Sequence, residues 1–195
     1  MKVKAFITHK LSESYSECQD RFAINKDKRS IAVSDGMSQS IFPDYWAEIL
    51  SAHYVEKGQC TEEDRVSLCD DWKSRVNTYL NDEKKAGRNP WRLENNLASF
   101  NGAGATICGV TFDKSNHWKG HVLGDSCIVE VDVTDWNNPQ LNIYTSEDKA
   151  FDCYPDYYES FPQNKGRGFI KEFEGQITAT KFLLLMSDPF SEYFY

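Results

Sequence analysis

The chain has 195 residues, 40% of them hydrophobic and 14% aromatic, which is enough apolar material for one sizeable domain. Its net charge of −8 and its pI near 5.0, with no run of Lys or Arg, exclude the positive footprint that a nucleic-acid surface needs. The longest apolar stretch, near FLLLM, is far too short to span a bilayer, which excludes a membrane partner of that kind.

Strand signals come first, in KAFIT, RFAIN and SIAVS. The stretch FPDYWAEILSAHYVEK then sets Phe42, Tyr45, Trp46, Ile49, Leu50 and Tyr54 at helical spacing. A second helix is expected from Thr61, with Glu62, Glu63 and Asp64 in the turn where the helix dipole favours acids. Leu68, Trp72, Val76 and Tyr79 fall on one of its faces; KKAGRNP ends it, and a short helix follows Pro90. From Gly102 the texture changes to strands: GATICGVTF, HWKGHVLG and CIVEVDV, with DKSN and GDS as turns, then LNIYT and ITATKFLLLMS. Residues 146–176, rich in Tyr, Asp, Glu and Gly, read as a surface flap. Strands, then helices, then strands, with no linker or repeat, predict a single α+β domain over residues 1–195 rather than alternating βαβ units.

The six cysteines show no CxxC pair and read as reduced thiols of an intracellular protein. The N-terminal MKVKAFITHK has no apolar signal-peptide core, so the expected location is cytoplasmic.

Three apolar runs end alike. IAVSDG finishes on Asp35, HVLGDS on Asp125 and FLLLMSDP on Asp188. One such ending is an ordinary turn or helix cap; three that meet would be a metal site. The hairpin RFAINKDKRSIAVS sharpens this. A turn centred between Asp27 and Lys28 sets Phe22 against Val33, Ala23 against Ala32 and Ile24 against Ile31, and puts Asp20 opposite Asp35. Two carboxylates opposed beside a core repel, and the conflict is relieved by protonation, by an intervening basic group or by a cation. With oxygen ligands only, the cation expected is Mg²⁺ or Mn²⁺. A register slipped by a residue or two would instead leave both acids as solvated turn residues.

CQDRFAI, IAVSDGMSQS with its following helix, GAGATICGV, HVLGDSCIVEV and FLLLMSDPF resemble, in order, the motifs of the metal-dependent protein phosphatases of the 2C type, over about residues 18 to 190. The resemblance implies a four-layer αββα fold: a sandwich of two antiparallel β-sheets flanked by α-helices. It implies catalytic roles for Asp20, Asp35 and Asp188. Asp35 would bridge two Mn²⁺ or Mg²⁺ ions with the Gly36 carbonyl as a further ligand, Asp188 would bind one of them, and Asp20 would act directly or through a water. Asp125 would contribute to a weaker third ion. The implied reaction is hydrolysis of phosphoserine and phosphothreonine in a phosphorylated protein by a metal-activated water attacking phosphorus in line, with a cognate Ser/Thr kinase as a further partner.

The pattern also departs from that family. Gln19 stands where an acid is usual, and Tyr15 lies near the place of a phosphate-clamping Arg, leaving Lys10 or Arg21 as substitutes. The late motif reads SDP, with Pro189 after Asp188, and only Glu192 is acidic thereafter. The domain is therefore expected to lack its C-terminal strands, to leave a sheet edge exposed beside Phe182 to Met186, and to bind metal weakly. The alternative reading is a pseudophosphatase that keeps the fold as a binding or regulatory module. Of the histidines, His9 is a candidate proton donor or phosphate contact, while His53 and His121 are expected to pack or lie at the surface.

Overall fold

The computed structural model describes residues 2–9, 14–146, 155–164 and 166–188. Strands β1 (Arg21–Asn25) and β2 (Ser30–Ser34) precede helices α1 (Pro43–Lys57), α2 (Glu62–Lys85) and α3 (Trp91–Ala98). Then come β3 (Gly104–Ala105), β4 (Ile107–Phe112), β5 (His117–Leu123), β6 (Cys127–Asp132), β7 (Gln140–Tyr144), β8 (Tyr158–Glu159), β9 (Lys171–Gln176) and β10 (Lys181–Met186). One sheet has the order β1-β2-β4-β5-β9 and a second β10-β6-β7, with β3 and β8 forming a separate pair. Every pairing is antiparallel. The protein is an α+β sandwich.

The helices begin where local chemistry starts them. Thr61 caps α2 reciprocally: its Oγ1 accepts from the Asp64 N–H (3.1 Å), and the Asp64 carboxylate accepts from the Thr61 N–H (2.9 Å). Pro43 occupies the first turn of α1, and Gly58, at φ 77°, closes its end in the left-handed conformation.

Alternation along the strands divides the core in two. On one face of the five-stranded sheet, Ala32, Ile107 and Leu123 meet Trp46, Leu50, Tyr54, Trp72 and Val76 of the helices. On the other, Cys108, Val110, Trp118 and Val122 meet Ile128, Leu183 and Leu185 of the second sheet. Neighbouring residues of β4 and β5 thus serve opposite layers, as a period of two requires. The outer face of the second sheet carries Cys127, Val129, Val131, Ile143, Leu184 and Met186, and no helix residue joins that cluster. Among the described residues the layers are therefore helix, sheet, sheet, with the second helical layer of the expected four not represented.

Several expectations need correction. KAFIT belongs to no strand. The flap region contains two strands, and β9 extends the first sheet by pairing with β5. Its sequence KEFEGQ points a single apolar side chain, Phe173, inward, which is too little apolar signal to read as a strand. In α2 Tyr79 lies at the edge of the buried face, edge-on to the Phe42 ring at 4.9 Å, and that face also includes Arg65. Among the described residues strand β10 lies at the edge of its sheet, in line with the expectation for Phe182 to Met186.

Arg65 is 1% exposed and ties α2 to the segment after β8. Its guanidinium donates to the carbonyls of Glu159 (2.6 Å) and Phe161 (3.1 Å) and to both carboxylate oxygens of Glu62. Arg65→Met should leave those carbonyls buried without donors and lower stability by about 3 kcal/mol. Glu62→Gln, altering a half-exposed partner, should cost well under half of that. Urea unfolding of the two variants beside the wild type measures the difference.

Candidate functional site

Strands β1 and β2 pair with Phe22 opposite Val33, Ala23 opposite Ala32 and Ile24 opposite Ile31, the register expected from apolar matching. The ladder ends at Arg21 and Ser34, and one further step sets Asp20 across from Asp35. Asp20 lies close enough to Asp35 to raise its pKa. In the second sheet β10 pairs with β6 so that Met186 faces Cys127, and two further steps bring Asp188 across from Asp125. The charges of Asp125 and Asp188 both act on Asp35. The structure thus brings all four aspartates of the motifs to one end of the sandwich.

Their backbones are held by hydroxyl groups that the sequence reading did not single out. Thr106 donates its N–H to the Asp35 carbonyl (2.9 Å), and its Oγ1 accepts from the Asp35 N–H (3.1 Å). Ser34 Oγ donates to the Thr106 carbonyl (2.5 Å), and Thr106 Oγ1 shares a hydrogen bond of 2.8 Å with Ser126 Oγ. All three hydroxyl residues are buried. Thr106 therefore links the end of β2 to the turn that carries Asp125. The signal was present in GAT and GDS as buried hydroxyls inside apolar runs, but only the fold shows which atoms they hold. Gly36 is required for close approach: a Cβ there would lie 2.8 Å from the backbone of Pro43.

Electrostatics at this end are dominated by like charge. Asp35 is pushed well above the ordinary carboxylate range, first by burial, then by the charge and hydrogen bond of Asp20, then by Asp125 and Asp188. Of the three ways to relieve that conflict, a basic group is not the one used by Arg21. Its guanidinium donates to the carbonyls of Cys18 (2.7 Å) and Asp20 (2.8 Å) and to Asp44 on α1 (2.9 Å). Protonation of Asp35 would relieve the repulsion. A hard cation would do the same, and an all-carboxylate donor set suits one. Among the described residues, however, no group of three or more His, Cys, Asp or Glu side chains is arranged to hold a metal ion. The charges fit a cation; the side chains are not gathered into a coordination shell around one.

The remaining candidates lie as follows. Gln19 accepts a hydrogen bond from Ser38 Oγ (2.7 Å), fastening the segment after Asp35 to the start of β1. His9 lies edge-on to the Tyr15 ring at 4.8 Å. His53 packs beside Asp64 (3.3 Å), and His121 Nδ1 shares a hydrogen bond with the Tyr54 hydroxyl (2.8 Å), as packed histidines do. Lys10, Pro189 and Glu192 lie outside the described residues.

No protein-family model and no curated protein matches this sequence. Among solved structures the chain is similar to the X-ray structure of the photosystem II phosphatase PBCP, with 18% identity and a TM-score of 0.43. The match covers 86% of this chain and spans 58% of that one.

The raised pKa of Asp35 has a defined consequence for stability. A carboxyl held above its unfolded value binds more protons in the folded state, so it makes metal-free stability fall as pH rises from the ordinary carboxylate range through the folded pKa. Asp35→Asn removes that loss. Without added metal at neutral pH, its melting temperature should exceed the wild-type value by a few degrees, and its stability should vary less with pH. A melting series across pH in chelator tests this, and a variant less stable than wild type at pH 7 would contradict it.

Proposed function

We propose that this protein is a metal-dependent phosphatase that hydrolyses phosphoserine and phosphothreonine in phosphorylated proteins. The observation that carries the proposal is the delivery of Asp20 with Asp35, and of Asp125 with Asp188, to one end of the sandwich, where three carboxylates act on Asp35. In this reading Asp35, the Gly36 carbonyl and Asp188 would hold Mn²⁺ or Mg²⁺ ions, Asp20 would act directly or through a water, and Asp125 would serve a weaker third ion. Ions held there would neutralise charge on the phosphoryl oxygens and make water acidic enough to react near neutral pH.

The chain's own residues set the conditions. Thr106 clamps the Asp35 main chain through both its amide and its hydroxyl, so the carboxylate is aimed before any ligand arrives. The Asp20 main-chain carbonyl is fixed by Arg21, and its side chain raises the pKa of Asp35. The described thiols are unsuited to act as nucleophiles. Burial pushes Cys60 up to about 12 and Cys69 and Cys127 to about 11, leaving them protonated at neutral pH. The five described cysteines are free and buried, which supports a reducing, cytoplasmic setting. No helix among the described residues is long and apolar enough to cross a membrane. The partners in this reading are a phosphorylated protein and the Ser/Thr kinase that supplies it.

A second reading keeps the fold as a binding module without turnover. It is favoured by the lack, among the described residues, of a gathered group of metal-ligating side chains. Hydrolysis of a phosphothreonine peptide separates the two. The enzyme reading expects release of phosphate with Mn²⁺, loss of it in chelator, and reduction to background by Asp35→Asn, because a neutral amide cannot balance two cations. A wild-type protein that binds Mn²⁺ in calorimetry yet releases no phosphate would establish the binding-module reading instead.

A further inference from the structure

Strand β9 is the outermost strand of the five-stranded sheet. Among the described residues no main-chain hydrogen bond reaches it from the side away from β5. Every second residue of an antiparallel edge strand turns its N–H and C=O outward, so β9 presents an open row of donors and acceptors. Period two gives the strand two unlike sides. Glu172 and Glu174 pair across from His121 and Lys119 on the side of α1, where His121 meets Tyr54. Their side chains are 80% and 68% exposed. Glu172 comes to 3.8 Å from His121 Nε2 and Glu174 to 3.9 Å from His117 Nε2, both beyond hydrogen-bond length. On the other side Phe173 packs toward the second sheet, against the Tyr144 ring at 5.2 Å.

A second feature of this edge is a donor without an acceptor. Trp118 stands across from Gly175, is wholly buried, and its Nε1 has no hydrogen-bond partner. The indole lies over Gly175, where a Cβ would sit 2.6 Å from Nε1, so the N–H reaches the edge strand itself. Buried donors are nearly always satisfied, and one left open beside a free edge points to an acceptor brought along that edge.

Charges on an edge strand commonly discourage pairing, and here they discriminate between occupants. Were a second copy of β9 to continue the sheet, the central registers would set Glu172 or Glu174 against another glutamate. A strand with Lys or Arg at alternate positions meets opposite charge in those same registers.

We propose that β9 is a docking edge for a partner protein, which adds an extended basic segment as a further strand of the sheet. Its alternate Lys or Arg side chains meet Glu172 and Glu174. A threonine or serine hydroxyl between them lies over Gly175 and accepts from the Trp118 N–H. Nothing in this docking requires the acid end to be catalytic.

The test uses the full chain and a short fluorescent peptide that alternates lysine with threonine, with binding read by anisotropy. Because the protein is acidic, controls must separate strand addition from plain charge attraction. A peptide of the same residues with its lysines in one block should bind about tenfold more weakly, and one with glutamate for lysine should not bind. Main-chain N-methylation at the lysines and at the threonines should differ: one set abolishes binding and the other leaves it, because only alternate N–H groups face β9. Glu172→Gln with Glu174→Gln should weaken the alternating peptide about tenfold. Glu172→Lys with Glu174→Lys should bind the glutamate peptide instead. Melting curves matching wild type would show that these exposed positions leave the fold intact. The indole N–H resonance of Trp118, assigned with Trp118→Phe, should move downfield as it gains an acceptor. Alternate amides of β9 should exchange fast in the free chain and slowly with peptide bound. Equal binding of the alternating and blocked peptides, equal binding by wild type and the glutamine variant, or no binding would overturn the inference. So would β9 amides already protected throughout in the free chain, or a wild-type dimer that Glu172→Lys with Glu174→Lys disperses, since either gives the edge another occupant.

Discussion

The repulsion between Asp20 and Asp35 organises one end of this protein. Apolar matching along β1 and β2 leaves little freedom in their register, because a slip of one residue would turn every core side chain of the hairpin to the wrong face. The same register sets two acids against each other, and the second sheet adds Asp125 and Asp188 by the same logic. Folding energy from the two cores thus sustains an electrostatic conflict that local structure would not tolerate. Such a conflict, held by packing and relieved by a proton or a cation, is the usual form in which a fold stores a chemical function.

The polar scaffold beneath the acids explains why they are aimed and not merely close. Thr106 satisfies both main-chain groups of Asp35 and passes the constraint to Ser126 beside Asp125. Buried hydroxyls of this kind are costly unless fully bonded, and here each has a partner within 2.8 Å or less. Gly36 and Gly124 let Pro43 and Asp156 come close to the same turns. The acids, the start of α1 and the loop after residue 155 are therefore one packed unit.

That unit has two kinds of charged group with different duties. Arg65 and Arg21 are committed inside the fold, one to carbonyls under the loop and one to Asp44 and the chain before β1. Arg167 is at the surface, joined to Asp156 by a long ion pair. A guanidinium bonded to buried carbonyls, as that of Arg65 is, fixes structure because releasing it leaves them unsatisfied.

Much of this was legible in the sequence. Period-two alternation and a central turn were enough to define the β1–β2 hairpin and the facing of Asp20 and Asp35, and period 3.6 with an acidic first turn defined α1 and α2. These are local patterns, and their physics acts within a few residues. Tertiary structure alone decided the rest. KEFEGQ became a strand because β5 offered it an edge, not because its own residues demanded one. Arg65 was buried because three carbonyls from a distant segment needed donors. The meeting of Asp125 and Asp188 with Asp35 depends on how one sheet stacks on the other, and no spacing along the chain encodes that angle. Sequence by itself determined which residues end the strands; only the packing of the two sheets decided that those ends share one place.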